Sequence, residues 1–313
     1  MENNHTGATR RLTPEERQIR IKQLKRKRNI RKAIVAVGFL LVLTIFVSPI
    51  LILTLFRVKS FTVEGTSTYS NEEIISASGI ILGKNLLFAD LDEAAENIEK
   101  TLPYTDEVQI TKKLPDKIII RYETTEKAYA IGMSNGLYAL TDSNLKVLEI
   151  TGNRPADVAL IVGAVPYETT TGEIAAFDVI GDDEKKEEFV DETLALLQQI
   201  TGALAENELK DISLISVSEK SDIYLIYQGR IVLKLGNDSD ISSKLSLGNR
   251  VINSENTIDP FQFGTVDLTV VTEAVFNPSD MKDIPEIMYY LDNYAPEETE
   301  EDASSDNSDA EEN

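Results

Sequence analysis

Residues Ala33–Phe56 (AIVAVGFLLVLTIFVSPILILTLF) form 24 consecutive residues without a charge. A helix rising ~1.5 Å per residue needs about 20 apolar residues to cross the hydrocarbon layer of a bilayer. The segment is apolar on every face, whereas a helix packed into a soluble core keeps a polar side. Pro49 lies inside it, where a kink is tolerated in a spanning helix. A cleaved signal sequence has an apolar stretch of only about 7–15 residues and ends at small residues. This one is longer and ends in Thr-Leu-Phe. The sequence therefore predicts an uncleaved, single-pass anchor.

Charge divides around the anchor. Residues 1–32 carry 11 Lys/Arg and 3 Asp/Glu, and seven of those cations, from Lys22 to Lys32, stand just before the span. Positive flanks stay in the cytoplasm, so the N-terminus is expected inside and the remainder outside. That topology accounts for the basic cluster without RNA or anionic lipid as a ligand. From Arg57 onward there are 20 Lys/Arg against 50 Asp/Glu, a net of −30. Such a surface repels phosphate backbones, and nucleic acid is not expected as a partner. Glu297–Asn313 holds nine acidic residues and no basic one, the composition of a solvated, disordered tail.

Arg57 to about Glu126 reads as a compact α/β unit. RVKSFTVEG suggests a strand ended by Gly65. Ser70 is a candidate N-cap for a short helix stopped by Gly79, and a second helix is expected over about Asp90–Leu102, closed by Pro103. Strands near Glu107–Thr111 and Lys117–Tyr122, joined by Lys-Leu-Pro-Asp, complete the order β-α-α-β-β. From Ala128 strands dominate. AYAIGM and LYALT form a hairpin around Asn135-Gly136, and Asp142-Ser143-Asn144 turns into LKVLEI. A helix is expected over Glu187–Leu204, with Val190, Leu194, Leu197 and Leu204 on one face. DISLISVS, DIYLIY and RIVLKL follow as strands, the last two joined through Gln228-Gly229. A helix near Ile241–Ile252 and strand material in GTVDLTVV and EAVF end the pattern.

The order and spacing of F-T-V-E-G-T, G-K-N-L-L, Leu102-Pro103, K-K-L-P-D-K-I-I-I and E-T-T-E-K-A-Y just after the anchor resemble the POTRA domain of the bacterial division proteins FtsQ and DivIB. The hairpin before I-V-L-K-L-G, then Ser243–Leu245 and Gly264–Leu268, is similar to the β domain that follows POTRA in that family. The resemblance covers roughly 33–290. It does not extend residue by residue through the charged insert near Gly181–Glu208. It implies an α+β ectodomain, a β-α-α-β-β POTRA domain followed by a mainly antiparallel β domain with helices, on one transmembrane helix. The expected divisions are 1–32 (cytoplasmic), 33–56 (span), 57–126 (POTRA), 127–296 (β domain) and 297–313 (tail).

Catalytic motifs do not assemble. Ser143-Asn144-Leu145-Lys146 fits S-x-x-K and Ser254-Glu255-Asn256 fits S-x-N, but the K-T-G or K-S-G strand that completes a penicillin-binding site is missing. The chain has no Cys, and its single His is His5, outside any folded region. Asp238-Ser239-Asp240 opens like a calcium loop, without the required Gly and closing Glu. No enzyme activity, cofactor or metal is expected.

The resemblance implies a division scaffold at the septum that binds FtsL and FtsB/DivIC-like single-pass proteins and helps regulate septal peptidoglycan synthesis, with septal synthases as further partners. An anchored receptor or transport factor using POTRA to hold extended polypeptides is the alternative. It would carry tandem POTRA copies or a barrel, and one copy is visible. In the family the last strands of the β domain receive a partner by strand addition. Here that maps to Val270, Val271, Thr272, Glu273, Ala274, Val275 and Phe276, with Tyr289 and Tyr290 nearby. Val275 and Phe276 are the expected apolar contacts, although Val275 fits the domain's own core equally well.

Overall fold

The structure is a computed structural model and describes residues 14–65, 68–167, 169–177, 191–253 and 258–294. His5, Val190, Ser254-Glu255-Asn256, the start of the expected 187–204 helix and the acidic tail lie outside the described residues. The chain divides into two compact units. The first comprises Met1–Thr62, Ile81–Ala89 and Thr111–Ile119, and the second comprises Val63–Ile80, Asp90–Ile110 and Ile120–Asn313.

In the first unit one helix, α1 (Pro14–Leu55), carries the apolar run and continues back through the basic segment. Its part from Arg26 to Leu55 is long and apolar enough to cross a membrane. The hydroxyls of Thr44 and Thr54 donate to the carbonyls of Leu40 and Ile50, so both polar groups are satisfied within the helix. At its end, carbonyls that lack helical partners find others. Arg57 Nε donates to Leu53 O at 3.1 Å and Asn85 Nδ2 to Ile52 O at 3.0 Å.

The strands β1 (Ser60–Glu64), β2 (Thr105–Lys113) and β3 (Lys117–Thr124) make a sheet of order β1-β3-β2. With the helices α2 (Asn71–Ala77) and α3 (Leu91–Thr101), the element order is the expected β-α-α-β-β, plus a 3-10 turn at Leu86–Phe88. Ser70 caps α2 in a reciprocal box: its side chain accepts from Glu73 N, and Glu73 returns a carboxylate to Ser70 N. That carboxylate is held below its ordinary value by the backbone and hydroxyl bonds of Ser70. Gly79, at φ +67°, leaves the helix in the left-handed region.

The rest of the second unit is built on one nine-stranded sheet, of order β12-β11-β10-β9-β8-β7-β4-β5-β6. Its strands in chain order are β4 (Tyr129–Gly132), β5 (Tyr138–Thr141), β6 (Val147–Thr151), β7 (Ala159–Val162), β8 (Ile212–Ser216), β9 (Ile223–Tyr227), β10 (Ile231–Gly236), β11 (Gly264–Asp267) and β12 (Val275–Pro278). Five neighbouring pairs are antiparallel, and three (β4–β7, β7–β8 and β10–β11) are parallel. The unforeseen strand is β7. It is buried between two parallel neighbours, so its ALIV is apolar throughout and lacks the alternation that marks a half-exposed strand.

One sheet face packs against α4 (Glu192–Glu206) and α5 (Ile241–Ile252) through Leu197, Ile200, Leu204, Ile241 and Leu245. The other is covered in part by α6 (Pro285–Tyr294), whose Ile287 and Tyr290 join Leu140, Leu160, Leu214, Ile226 and Val232. The described part of the helix expected over Glu187–Leu204 is α4. Asp191 caps it, its carboxylate accepting from Leu194 N at 2.7 Å, and the buried side is Leu196, Leu197, Ile200 and Leu204, with Leu194 at its margin. The α5 bounds match the expectation. Gly248 is accommodated there because a Cβ would sit 2.9 Å from Leu268 Cδ1, so the glycine permits close helix–sheet approach.

Candidate partner-binding edge

The nine-stranded sheet has two edges. At the β6 edge the chain folds back over the strand: Val147 N donates to Glu173 O, and Gly172 N donates to Val147 O. At the other edge β12 pairs with β11 on one side, and among the described residues the sheet ends there.

The path to β12 follows from its sequence. The strand β11 enters parallel to β10 after the α5 crossover, with Ile231 opposite Gly264 and Leu233 opposite Val266. It stops where Asp267 turns on itself, its carboxylate accepting from Thr269 N at 3.0 Å and from Thr269 Oγ1 at 2.7 Å. Those two bonds hold the Asp267 carboxyl below its ordinary value. Val270–Ala274 is the connecting turn, closed by Glu273 N donating to Val270 O. Only then does β12 run back, antiparallel, with Val266 opposite Phe276 and Asp267 opposite Val275.

This corrects the expected strand at Val270–Phe276. Val270, Val271, Thr272, Glu273 and Ala274 belong to the turn, and only Val275 and Phe276 belong to the strand, which continues through Asn277 and Pro278. Phe276 is half-buried and packs against the core cluster over Gly264, where a Cβ would come within 2.5 Å of the Phe276 ring. Val275 faces solvent at 51 % exposure, so the core reading of that residue falls away. Tyr290 is buried in the α6 cluster, whereas Tyr289 is half-exposed and stacks edge-on against Tyr294 at 5.7 Å.

The free backbone groups of the edge follow from one hydrogen bond. Ser279 N donates to Phe263 O at 3.1 Å, towards β11. Backbone polar groups alternate direction along a strand, so residues 277 and 275 also face β11, while Phe276 and Pro278 face outwards. Pro278 has no N–H to leave unpaired, and an outward edge position is where a sheet tolerates proline. The outward edge therefore offers the N–H and C=O of Phe276 and the C=O of Pro278. Asn277 and Pro278 lie beyond the stretch expected from the sequence.

Within and beside the described motif-like stretches, two lysines have structural partners. Lys146 Nζ is buried and donates to Thr105 O at 2.6 Å, and Ser143 lies in the turn organised by Asp142, whose Oδ1 accepts from Asn144 N and Lys146 N at 2.9 Å each. Beside Asp238-Ser239-Asp240, the Asn237 side chain accepts from Ser239 and from the Lys244 ammonium. Among the described residues no group of three His, Cys, Asp or Glu is placed to hold a metal ion.

Residues 56–122 match the family described as "POTRA domain, FtsQ-type". The cell division protein DivIB of Clostridium botulinum (strain Hall) is 25% identical over 256 residues, covering 82% of this chain and 94% of its own. The FtsQ-type POTRA match and the DivIB and FtsQ relatives, which align over most of the chain, support the FtsQ/DivIB family. DivIB of Clostridium acetobutylicum is 28% identical over 234 residues, 74% of this chain and 87% of its own. FtsQ of Geobacter sp. (strain M21) is 28% identical over 186 residues, 59% of this chain and 63% of its own. These relatives support a role in cell division, and the apolar N-terminal helix, long enough to cross a bilayer, fits a membrane anchor.

Proposed function

We propose that this FtsQ/DivIB protein is a non-enzymatic scaffold of the division septum, that its β12 edge docks FtsL and FtsB/DivIC-like single-pass partners by strand addition, and that this docking helps regulate septal peptidoglycan synthesis. The observation that carries the reading is the open side of β12, which presents the Phe276 N–H and C=O outward, while at the opposite edge the chain folds back over β6 at Val147. An exposed edge left unpaired invites association, and natural proteins blunt or occupy such edges. A partner strand of alternating side chains would take its affinity from these main-chain groups and its selectivity from Val275. The basic flank before the span supports an N-terminus in the cytoplasm and an ectodomain outside. Protease applied to wall-stripped cells is expected to remove the ectodomain and spare an epitope at residue 1.

The direct test is affinity capture of the full chain from detergent-solubilised membranes, with partners identified and variants compared. Val275→Asp places a charge on the exposed face of the strand, and Phe276→Pro removes the outward donor without touching a β11–β12 bond. Both are expected to reduce capture of the FtsL and FtsB/DivIC-like pair at least tenfold. The companion Val270→Asp, in the turn, is expected to change it little. Equal capture by all three variants would place docking elsewhere.

A further inference from the structure

The ectodomain's charge is unevenly spread. The segments 57–62, 81–89 and 111–119, which form one compact unit with the end of α1, contain six Lys/Arg and a single acidic residue, Asp116. The other residues after position 56 contain 14 Lys/Arg against 49 Asp/Glu. Exposed apolar side chains concentrate in the same place. Among the described residues from 57 to 126, the large exposed apolar ones are Ile81, Leu82, Leu87, Phe88 and Leu114, all within these segments. Phe88 is 76% exposed. A basic, apolar collar on an otherwise acidic protein calls for a specific environment, since contiguous exposed apolar groups on soluble surfaces mark contact sites.

Hydrogen bonds fix where this collar sits. Leu86 N donates to Phe56 O at 2.7 Å, Val58 N to Lys84 O at 2.9 Å and Gly83 N to Val58 O at 2.8 Å. Asn85 reaches the carbonyl of Ile52, inside the last turn of the apolar helix. Segment 81–89 thus lies against the point where α1 stops being apolar, the depth at which a span leaves the hydrocarbon. It is rigidly held there. Leu86 is fully buried beneath it, and Lys112 Nζ donates to Leu87 O and Ala89 O at 3.1 and 2.8 Å.

We propose that segment 81–89 and the β2–β3 turn form a lipid-docking surface on the leaflet from which α1 emerges. Ile81, Leu82, Phe88 and Leu114 enter the boundary between acyl chains and headgroups, and the exposed Lys84 and Lys113 sit on lipid phosphates. Aromatic and aliphatic side chains beside snorkelling lysines are the composition of interfacial membrane contacts. Continuity with the span selects the bilayer as the occupant, and the local excess of positive charge selects anionic headgroups within it. The first unit is then held at the membrane by a surface as well as by its helix.

The chain has no cysteine, so single substitutions can carry a probe without further changes. The full chain, bearing an environment-sensitive fluorophore at Leu82→Cys, Phe88→Cys or Leu114→Cys, would be reconstituted in nanodiscs of phosphatidylcholine with or without phosphatidylglycerol. Each label would then be quenched in turn by nitroxide-bearing lipid and by aqueous iodide. The expected result is several-fold stronger quenching by the lipid than by iodide at positions 82 and 88. The further change Lys84→Gln/Lys113→Gln should lower lipid quenching in phosphatidylglycerol discs to the level of pure phosphatidylcholine. Labels at 82 and 88 that are open to iodide and insensitive to lipid would overturn the proposal. So would labels that become shielded only after other membrane proteins are added, since the occupant would then be a protein.

Discussion

The Lys244 side chain is one of the few buried charged groups among the described residues, and replacing it with methionine tests what holds the sheet to α5. Lys244 is fully buried and donates three hydrogen bonds: to Leu235 O at 2.8 Å, Asn237 O at 3.0 Å and Asn237 Oδ1 at 2.8 Å. It thereby ties the fourth residue of α5 to the end of β10. Burial lowers its pKa, so desolvation works against the ammonium, which the nearby Asp240 and Asp238 charges and the three acceptors favour. Lys244→Met keeps an unbranched side chain one heavy atom shorter and removes all three hydrogen bonds. A buried acceptor left without its donor costs roughly 1–3 kcal/mol. The Leu235 carbonyl is fully buried and the two Asn237 oxygens are half-buried, so the loss should come to about 2–5 kcal/mol. At roughly 2–4 °C per kcal/mol for a unit of this size, Tm should fall by about 5–15 °C. Thermal and denaturant unfolding of the full chain in detergent would measure it. A loss below about 1 kcal/mol, or a gain in stability, would mean that relief of the buried charge outweighs the hydrogen bonds.

Two further substitutions probe the sheet's turns and its edge. Burial raises the Asp142 pKa against the lowering influence of its backbone hydrogen bonds, so between the ordinary aspartate value and its folded value the native state holds more protons than the unfolded one. Stability contributed by this residue should therefore fall as pH rises through that window. Asp142→Asn should remove this slope in denaturant unfolding measured from pH 3.5 to 7, and parallel curves for the two proteins would contradict it. Gly264→Ala puts a Cβ 2.5 Å from the Phe276 ring and 2.7 Å from Asn277 O, so the edge strand must shift. Overpacking of this kind costs roughly 1–3 kcal/mol. The expected readouts are that loss in unfolding together with weaker partner capture, and unchanged values of both would show that the ring does not rest on this glycine.

Much of the fold was legible where a local rule decides the backbone. Ser70 and Glu73 form the capping box that their spacing allows, and Gln228 and Gly229 both take the left-handed angles of a tight hairpin, at φ +50° and +66°. The helix at Ile241–Ile252 is amphipathic enough to stand out alone. Where pairing partners decide, the sequence was silent or misleading. The ALIV of β7 becomes a strand because β4 and β8 flank it in parallel. The hairpin at Asn135-Gly136 is a longer turn in which Gly136 alone takes a positive φ, with Met133 N bonded to Leu137 O. The strand expected at Val270–Phe276 overlaps β12 only at Val275 and Phe276. Val270–Phe276 alternates like a strand, but β12 can extend only opposite the four residues of β11, and the Asp267–Thr269 turn sets where the chain comes back. No local signal in Val270–Ala274 records that constraint.

The proposed docking mode makes its sharpest claim about one amide. Alternation from the Ser279–Phe263 bond leaves the Phe276 N–H facing outward, while those of Val275 and Asn277 face β11. Hydrogen–deuterium exchange at single-residue resolution would be followed on the full chain in nanodiscs, alone and with the FtsL and FtsB/DivIC-like pair. The account predicts that the partners slow exchange of the Phe276 amide at least about tenfold, the effect of a new hydrogen bond of about 1.4 kcal/mol, with little change at Val275 and Asn277. A Phe276 amide that exchanges as fast in the complex as alone, with protection appearing on another surface, would contradict it.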